Sequence, residues 1–315
     1  MNRISVWNDL LRPHRGAAGE PDDFALARRM RTLAVNLRAS GRARLRLSQA
    51  GLRAARGVCR ESEAMRRRCA DGGAALERLA QDARLMESCA VQARLDGVRV
   101  LPAADGRARI GRVLDALCGA GDLRLTRDRL LLALASFDDV QPLLMAELWA
   151  VPEAMRIALT HAWLGTAEIA LDIAHERELA ERWANGAAVG LRGHGPAFYE
   201  HALRLLTERE DAPRRAALER ALAEMDCTPE QAVRRAHEQS SVALMRLDNI
   251  LANKRLIDAL RWQDCFAELS AVETELNYDP AGVYPAMEDD SRDAVRAQVA
   301  VIARKLGLSE ITVAR

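Results

Sequence analysis

The stretch of sequence that decides the fold lies at residues 262–309 and reads WQDCFAELSAVETELNYDPAGVYPAMEDDSRDAVRAQVAVIARKLGLS. Its first part predicts one amphipathic helix over residues 261–276, because apolar residues recur there at helical spacing. Glu273 lies inside this apolar stripe. A buried carboxylate needs a hydrogen-bonding or positively charged partner, since an unpaired buried charge is costly. We expect Arg292 or Arg296, early in the following helix, to be that partner.

The second part of the stretch predicts another helix. Asp279-Pro280 ends the first helix, because the residue before a proline avoids the helical region. One of the three residues 289–291 is expected to cap the next helix, and Gly307 is expected to end it. The apolar stripe of this helix is predicted to consist of Val295, Val299, Ile302 and Leu306.

Composition and pattern favour helix along the whole chain. Hydrophobic residues make up 49% of the 315 residues and aromatics only 4%, while alanine, leucine and arginine are abundant. These three residue types favour helix. No stretch alternates convincingly between apolar and polar residues, and residues 42–69 are among the predicted helices. We therefore predict an all-α protein, a multi-helix array of antiparallel helices with no significant sheet.

The predicted helices divide into three parts. Residues 1–75 form a basic N-terminal helical arm, residues 76–185 a helical subdomain, and residues 196–315 a second helical subdomain. The glycine-rich segment at 186–196 is the expected boundary. Ser309 predicts the cap of a further helix with about six residues, too short to be stable alone. We therefore expect the last subdomain to be truncated at its end.

Charge and apolar runs limit the classes of partner and compartment. A net charge of +1 gives no overall preference for an anionic partner. The first nine residues lack the apolar core of a secretory signal. The longest apolar run, residues 130–135, is far shorter than the roughly 20 residues that span a bilayer. We therefore expect a cytoplasmic chain with reduced cysteines.

One basic region has two interpretations. Thirteen arginines and two glutamates lie between Arg28 and Arg68. The arginines are either the solvated face of packed helices or a surface for an anionic membrane. Without aromatic stacking residues or a recognised DNA-binding motif, the sequence predicts no nucleic-acid partner.

Three blocks of sequence resemble one family. The first contains Val140-Gln141-Pro142-Leu143, Ala146-Glu147-Leu148-Trp149-Ala150 and Met155-Arg156. The second is Thr228-Pro229-Glu230-Gln231, which also has the pattern of a helix capping box. The third contains Trp262 with Phe266, Val272-Glu273, Asp279-Pro280-Ala281-Gly282-Val283-Tyr284, Ser291-Arg292-Asp293 and Arg296. In this order they resemble the N-terminal region of bacterial cyclic β-1,2-glucan synthases from about Val140 onward. Before Val140 the resemblance is thin.

The resemblance implies a supporting function. Synthases of that family polymerise glucose from UDP-glucose and close the glucan into a ring at the inner membrane. For this chain, the resemblance implies a non-catalytic module at the cytoplasmic face of that membrane. The partner would be a glucosyltransferase domain of the same chain or of another. Two alternatives stay open: a free-standing helical interaction protein, and a small helical carbohydrate-active enzyme that uses Glu147 or Glu273 as an acid–base carboxylate.

No residue is assigned a catalytic, cofactor-binding or metal-binding role, and no cofactor is expected. His194 and His201 lack the spacing of a zinc-binding helix. Glu147 and Glu273 are predicted to be buried anchors, with Arg156 as the expected partner of Glu147. The candidate structural or interaction residues are Glu147, Trp149, Arg156, Trp262, Glu273, Asp279, Tyr284, Arg292 and Arg296.

Overall fold

The computed structural model describes residues 23–69, 71–95, 99–119 and 122–315. Helices account for most of the regular structure in these ranges, which confirms the predicted all-α class. Residues 1–22 of the predicted N-terminal arm lie outside the described ranges. The helices are α1 (Asp23–Asn36), α2 (Gln49–Arg68), α3 (Ala74–Leu95), α4 (Arg109–Cys118), α5 (Arg127–Asp138), α6 (Met145–Trp149), α7 (Val151–Ala184), α8 (Pro196–Glu208), α9 (Ala212–Ala223), α10 (Pro229–Ala259), α11 (Trp262–Leu269), α12 (Ala271–Asn277), α13 (Asp289–Leu306) and α14 (Glu310–Ala314).

A small antiparallel sheet joins the N-terminal helices. Its strands are β1 (Arg42–Arg44), β2 (Val100–Ala104) and β3 (Arg107–Ala108), in the order β1-β2-β3. Asp105 and Gly106 connect β2 to β3 with positive φ angles of 52° and 74°, the conformation of a tight hairpin turn. The predicted helix over 42–69 is therefore wrong at its start. The α2 helix begins only after Ser48, whose hydroxyl caps it.

The long helix α7 is the centre of the molecule. It has 34 residues, a length of about 50 Å. Helices α2, α3, α4, α8 and α10 all pack on it. Half of its buried residues are alanine, a small residue that allows neighbouring helices to approach closely. A second, smaller core lies at its C-terminal end, where Phe198 and Leu206 of α8 pack against α9 and α10.

Several predicted helix ends are confirmed. Thr228 and Gln231 form the capping box of α10, with Thr228 Oγ1 accepting from Gln231 N at 3.2 Å and Gln231 Oε1 accepting from Thr228 N at 3.1 Å. Gly307 ends α13 in the left-handed conformation, with a φ of 66°. Ser309 caps α14 through a hydrogen bond from Thr312 N at 3.1 Å.

Other details of the C-terminal stretch differ from the prediction. The helix predicted over 261–276 is two helices, because Ser270 leaves the helical conformation and its Oγ accepts from Glu273 N. Glu288, not a residue of 289–291, occupies the N-cap position of α13. The stripe of α13 is only partly buried: Val299 is buried, whereas Ile302 is 41% exposed and Leu306 is 64% exposed.

The glycine-rich segment connects α7 to α8 without regular structure. The three-part division of the chain stays a prediction. None of the helices in the described ranges has both the length and the apolar character needed to cross a membrane.

Asn253 on α10 provides a test of the fold. It is 1% exposed, its Oδ1 accepts from Leu125 N at 2.7 Å, and its Nδ2 donates to Leu123 O at 2.8 Å. Asn253→Ala leaves both backbone groups buried without partners, which costs about 1–3 kcal/mol for each. We expect the free energy of unfolding in urea to fall by at least about 2 kcal/mol.

The matched control is Asn36→Ala, which removes an exposed asparagine whose Nδ2 donates to Thr32 O within its own helix. We expect it to change the unfolding free energy by less than about 0.5 kcal/mol. Equal effects of the two substitutions would contradict the role given to Asn253.

Candidate functional site

Glu147 on α6 forms a fully buried ion pair with Arg109 at the start of α4. Arg109 Nε donates to Oε1 at 3.0 Å, and Arg109 Nη2 donates to Oε2 at 2.6 Å. The side chain of Glu147 is 0% exposed and that of Arg109 is 5% exposed. Glu147 Oε2 also accepts from Leu144 N, while Arg109 donates to Pro142 O at 2.8 Å. Both charges are therefore satisfied by several partners, as buried charges require.

The prediction that Arg156 is the partner of Glu147 is wrong. Arg156 lies on α7, and its Nη2 is 3.7 Å from Asp258 Oδ1 on α10. Its side chain therefore meets the α10 side of α7, while the carboxylate of Glu147 meets the start of α4. Arg109 belongs to the segment before Val140, where the family resemblance is thin.

Glu273 on α12 is the centre of a second buried cluster. Its Oε2 accepts from Tyr284 Oη at 2.7 Å and from Arg296 Nε at 2.7 Å, so Arg296 is the closer of the two expected arginine partners. Arg292 is more distant, with Nη1 4.0 Å from Oε1. Two guanidinium groups also lie over aromatic rings. Arg296 Cζ is 5.3 Å from the centroid of the Phe266 ring, and Arg292 Cζ is 5.6 Å from the centroid of the Tyr284 ring.

These contacts fix the protonation states in the second cluster. Burial alone raises the pKa of Glu273, but the hydrogen bonds from Arg296 and Tyr284 and the charges of the two arginines outweigh it, so the pKa lies below its usual value of 4.5. Burial and the hydrogen bond to Glu273 raise the pKa of Tyr284 to about 12. Glu273 is therefore a stable anion at neutral pH and Tyr284 a stable hydrogen-bond donor.

Asp279 organises the loop that carries Tyr284 into this cluster. Its Oδ2 accepts from Val283 N at 2.8 Å and Tyr284 N at 3.0 Å, and its Oδ1 accepts from Ala281 N at 3.0 Å. These backbone donors lower the pKa of Asp279. Gly282, with a φ of 64°, provides the left-handed turn inside the loop.

The first and third of the three resembling blocks pack against each other. Trp262 Nε1 on α11 donates to Leu148 O on α6 at 2.9 Å, and the rings of Trp149 and Phe266 stack with centroids 4.4 Å apart. The C-terminal helix α14 joins them, because Glu310 accepts from Met145 N at 2.9 Å. All nine candidate residues except Arg156 thus lie in or directly beside one connected set of contacts.

The arginines between Arg28 and Arg68 do not form one uniform free surface. They are spread over α1, β1, α2 and the connecting segments. Several contact carboxylates, including Arg31 with Asp139 at 3.1 Å and Arg56 with Glu87 at 3.5 Å. Others, such as Arg53 and Arg60, are exposed on α2. The geometry suits a solvated face, and membrane contact stays a prediction.

Histidines and cysteines have structural surroundings. The ring of His194 stacks on Phe198 at 3.9 Å, and its nitrogens contact Glu176 and Gly190 O. His201 is 1% exposed beside Glu181. In the described ranges, histidines, cysteines and acidic residues are nowhere grouped in threes able to hold a metal ion. All six cysteines are free thiols, and burial raises the pKa of Cys118 to about 12.

The sequence matches no known family model, and comparison with curated proteins finds no match.

The arrangement around Glu147 and Glu273 suits anchoring rather than acid–base chemistry. A glycosidase acid needs a carboxyl group with a raised pKa beside space for a sugar. Glu147 is 0% exposed and Glu273 is 1% exposed, and arginines occupy both carboxylates. The lowered pKa of Glu273 is the opposite of what a general acid requires.

The first test of the site removes one member of the buried pair. Glu147→Leu leaves the Arg109 charge buried without a carboxylate partner, which costs about 3–5 kcal/mol. We expect the free energy of unfolding, measured in urea, to fall by this amount. The double variant Arg109→Met/Glu147→Leu removes both charges and is expected to recover most of it.

An exposed ion pair gives the control. Arg215 Nε lies 2.9 Å from Glu219 Oε1, and the two side chains are 46% and 40% exposed. Glu219→Ala is expected to cost less than about 1 kcal/mol. A double variant no more stable than Glu147→Leu would contradict the importance of charge pairing at this position.

The second test follows the pKa of Glu273. Because this pKa is lower in the folded than in the unfolded chain, the unfolded chain binds more protons in mildly acidic solution. The stabilisation from Glu273 is therefore complete above pH 4.5 and is lost as the pH falls through the folded pKa. Glu273→Gln should reduce stability at neutral pH and flatten the acid limb of the stability–pH curve from urea unfolding. Tyr284→Phe should flatten it partly, and an unchanged limb in Glu273→Gln would refute the assignment.

Proposed function

We propose that the chain is a non-catalytic helical module that supports or positions a membrane glucosyltransferase which uses UDP-glucose. The observation that carries the proposal is the convergence of the resembling blocks. The first and third blocks, which are far apart in sequence, share the contacts of Trp262 and Trp149, and Glu310 of α14 also contacts the first block. Residues of the resembling blocks that pack against each other are expected if the resemblance reflects a common structural framework.

The chemistry of the buried carboxylates supports a non-catalytic role. Both are closed off from solvent and bound by arginines. No observation favours the alternative of a small carbohydrate-active enzyme.

An exposed apolar row supports docking against another domain. Val301, Ile302, Leu306 and Leu308 are 37%, 41%, 64% and 49% exposed along α13 and just beyond it. Contiguous exposed apolar side chains are typical of surfaces that bind another protein. Val301, Ile302 and Leu306 belong to the same helix as Arg296, the partner of Glu273.

The test uses membrane vesicles that contain a cyclic β-1,2-glucan synthase whose own N-terminal region has been removed. We expect the purified chain to co-sediment with these vesicles and to increase incorporation of radiolabelled glucose from UDP-glucose. The double variant Ile302→Glu/Leu306→Glu should lose both effects, because two charges in a docking surface remain desolvated without partners.

Val35→Glu is the matched control, because Val35 is 56% exposed on α1, a different helix. Vesicles of the same anionic lipids without the synthase separate docking from binding to the membrane surface. Glucose transfer by the isolated chain would overturn the non-catalytic assignment. Equal binding of the two variants would overturn the docking surface.

A further inference from the structure

A cavity of about 570 Å³ is lined by residues that belong to neither buried cluster. It is placed where the segment entering α2, the body of α4 and the middle of α7 meet. Its polar lining comes from Arg46, Ser48, Arg107, Asp115 and His161. The volume falls within the roughly 300–1,000 Å³ of small-molecule pockets. None of these residues belongs to the sequence motifs described above.

Asp115 holds two of the lining side chains in place. Its Oδ1 is 2.9 Å from His161 Nδ1, and its Oδ2 accepts from Arg107 Nη2 at 2.7 Å. Burial raises the pKa of Asp115, but His161 and Arg107 outweigh burial and lower it overall. Asp115 is therefore an anion whose two oxygens are both occupied. His161 Nε2 is left to accept an O–H group when the ring is neutral, or to donate when it is protonated.

The lining contains two arginines, Arg46 and Arg107, but only one carboxylate, that of Asp115. Arg107 is 51% exposed and shares Asp115, whereas Arg46 is exposed and has no carboxylate within ion-pair distance among the described residues. The cavity also reaches Ser48, the N-cap residue of α2, whose Oγ accepts from Gly51 N at 2.9 Å. The N–H groups of Gln49 and Ala50 in that turn have no intrahelical acceptor. The lining thus has two guanidinium groups and one carboxylate, and it lies beside backbone donors that have no intrahelical acceptor.

We propose that this cavity binds the phosphate group of a small phosphate-bearing molecule. Arg46 and Arg107 provide charge-assisted donors, the first turn of α2 provides backbone donors, and His161 Nε2 contacts a phosphate oxygen or hydroxyl. A tetrahedral phosphate presents oxygens in several directions, which matches donors from three separate elements better than a flat carboxylate. The remaining volume accommodates the rest of the molecule. This inference does not depend on the proposed support of a glucosyltransferase.

The experiment is calorimetric titration of the whole chain with inorganic phosphate and with glycerol 3-phosphate, at constant ionic strength. We expect a dissociation constant of about 1 mM or lower. Arg46→Ala and Arg107→Ala should each weaken binding about tenfold, because each removes a charge-assisted hydrogen bond. Arg53→Ala removes an exposed arginine of α2 that does not line the cavity, and it should leave binding unchanged.

Two further readouts make the result specific. Thermal unfolding of each variant checks that it is folded, and Arg46 is exposed, so its replacement leaves the core intact. The imidazole resonances of His161 should shift on addition of either phosphate probe. Tighter binding of glycerol 3-phosphate than of inorganic phosphate would identify an ester as the ligand, and equal binding would identify the phosphate group alone.

Three outcomes would overturn the inference. The first is absence of binding at about 10 mM phosphate, a concentration that detects even millimolar affinity. The second is equal weakening by Arg53→Ala and Arg46→Ala, which would show unspecific attraction to positive charge. The third is equal binding of acetate, which would show that phosphate is not the group recognised.

Discussion

The buried ion pair between Arg109 and Glu147 is the contact on which the arrangement of the other helices depends. It joins the start of α4 to α6, and Arg109 also donates to Pro142 O. Leu148, the next residue of α6, accepts from Trp262 and so determines where α11 lies. A buried ion pair often contributes little net stability relative to apolar residues of the same size. We infer that its main effect here is to select one arrangement, because any other would leave a buried charge unpaired.

Glu273 has the same role further along the chain. It holds Tyr284 and Arg296, so α12, the loop organised by Asp279 and α13 close around one carboxylate. The stacking of Trp149 on Phe266 then joins this region to the first ion pair. Charged anchors surrounded by apolar contacts make a rigid framework. A rigid framework with an exposed apolar row suits a protein that positions a partner, which is why the proposed function is docking rather than catalysis.

Local signals in the sequence were sufficient for much of the fold, and distant contacts were not. The capping box at Thr228 could be predicted from local spacing, and the apolar stripe around Glu273 indicated Arg292 or Arg296 of the next helix as its partner. Arg109 could not be assigned to Glu147, since only the packing of α4 against α6 brings them together. The strands were missed because they are two to five residues long, although Asp105-Gly106 is a hairpin signal. The exposure of Leu306 was also missed, since an apolar stripe does not reveal whether anything covers it.

The central claim is that the segments around Glu147 and Glu273 form one cooperative unit with α7. Native-state hydrogen exchange of the Trp262 indole N–H, which donates to Leu148 O, tests this most directly. If the claim is right, this proton exchanges only through global unfolding, with the same opening free energy as the most protected amides of α7. Exchange at a clearly lower free energy, while α7 stays protected, would show that α11–α14 open separately and would contradict it.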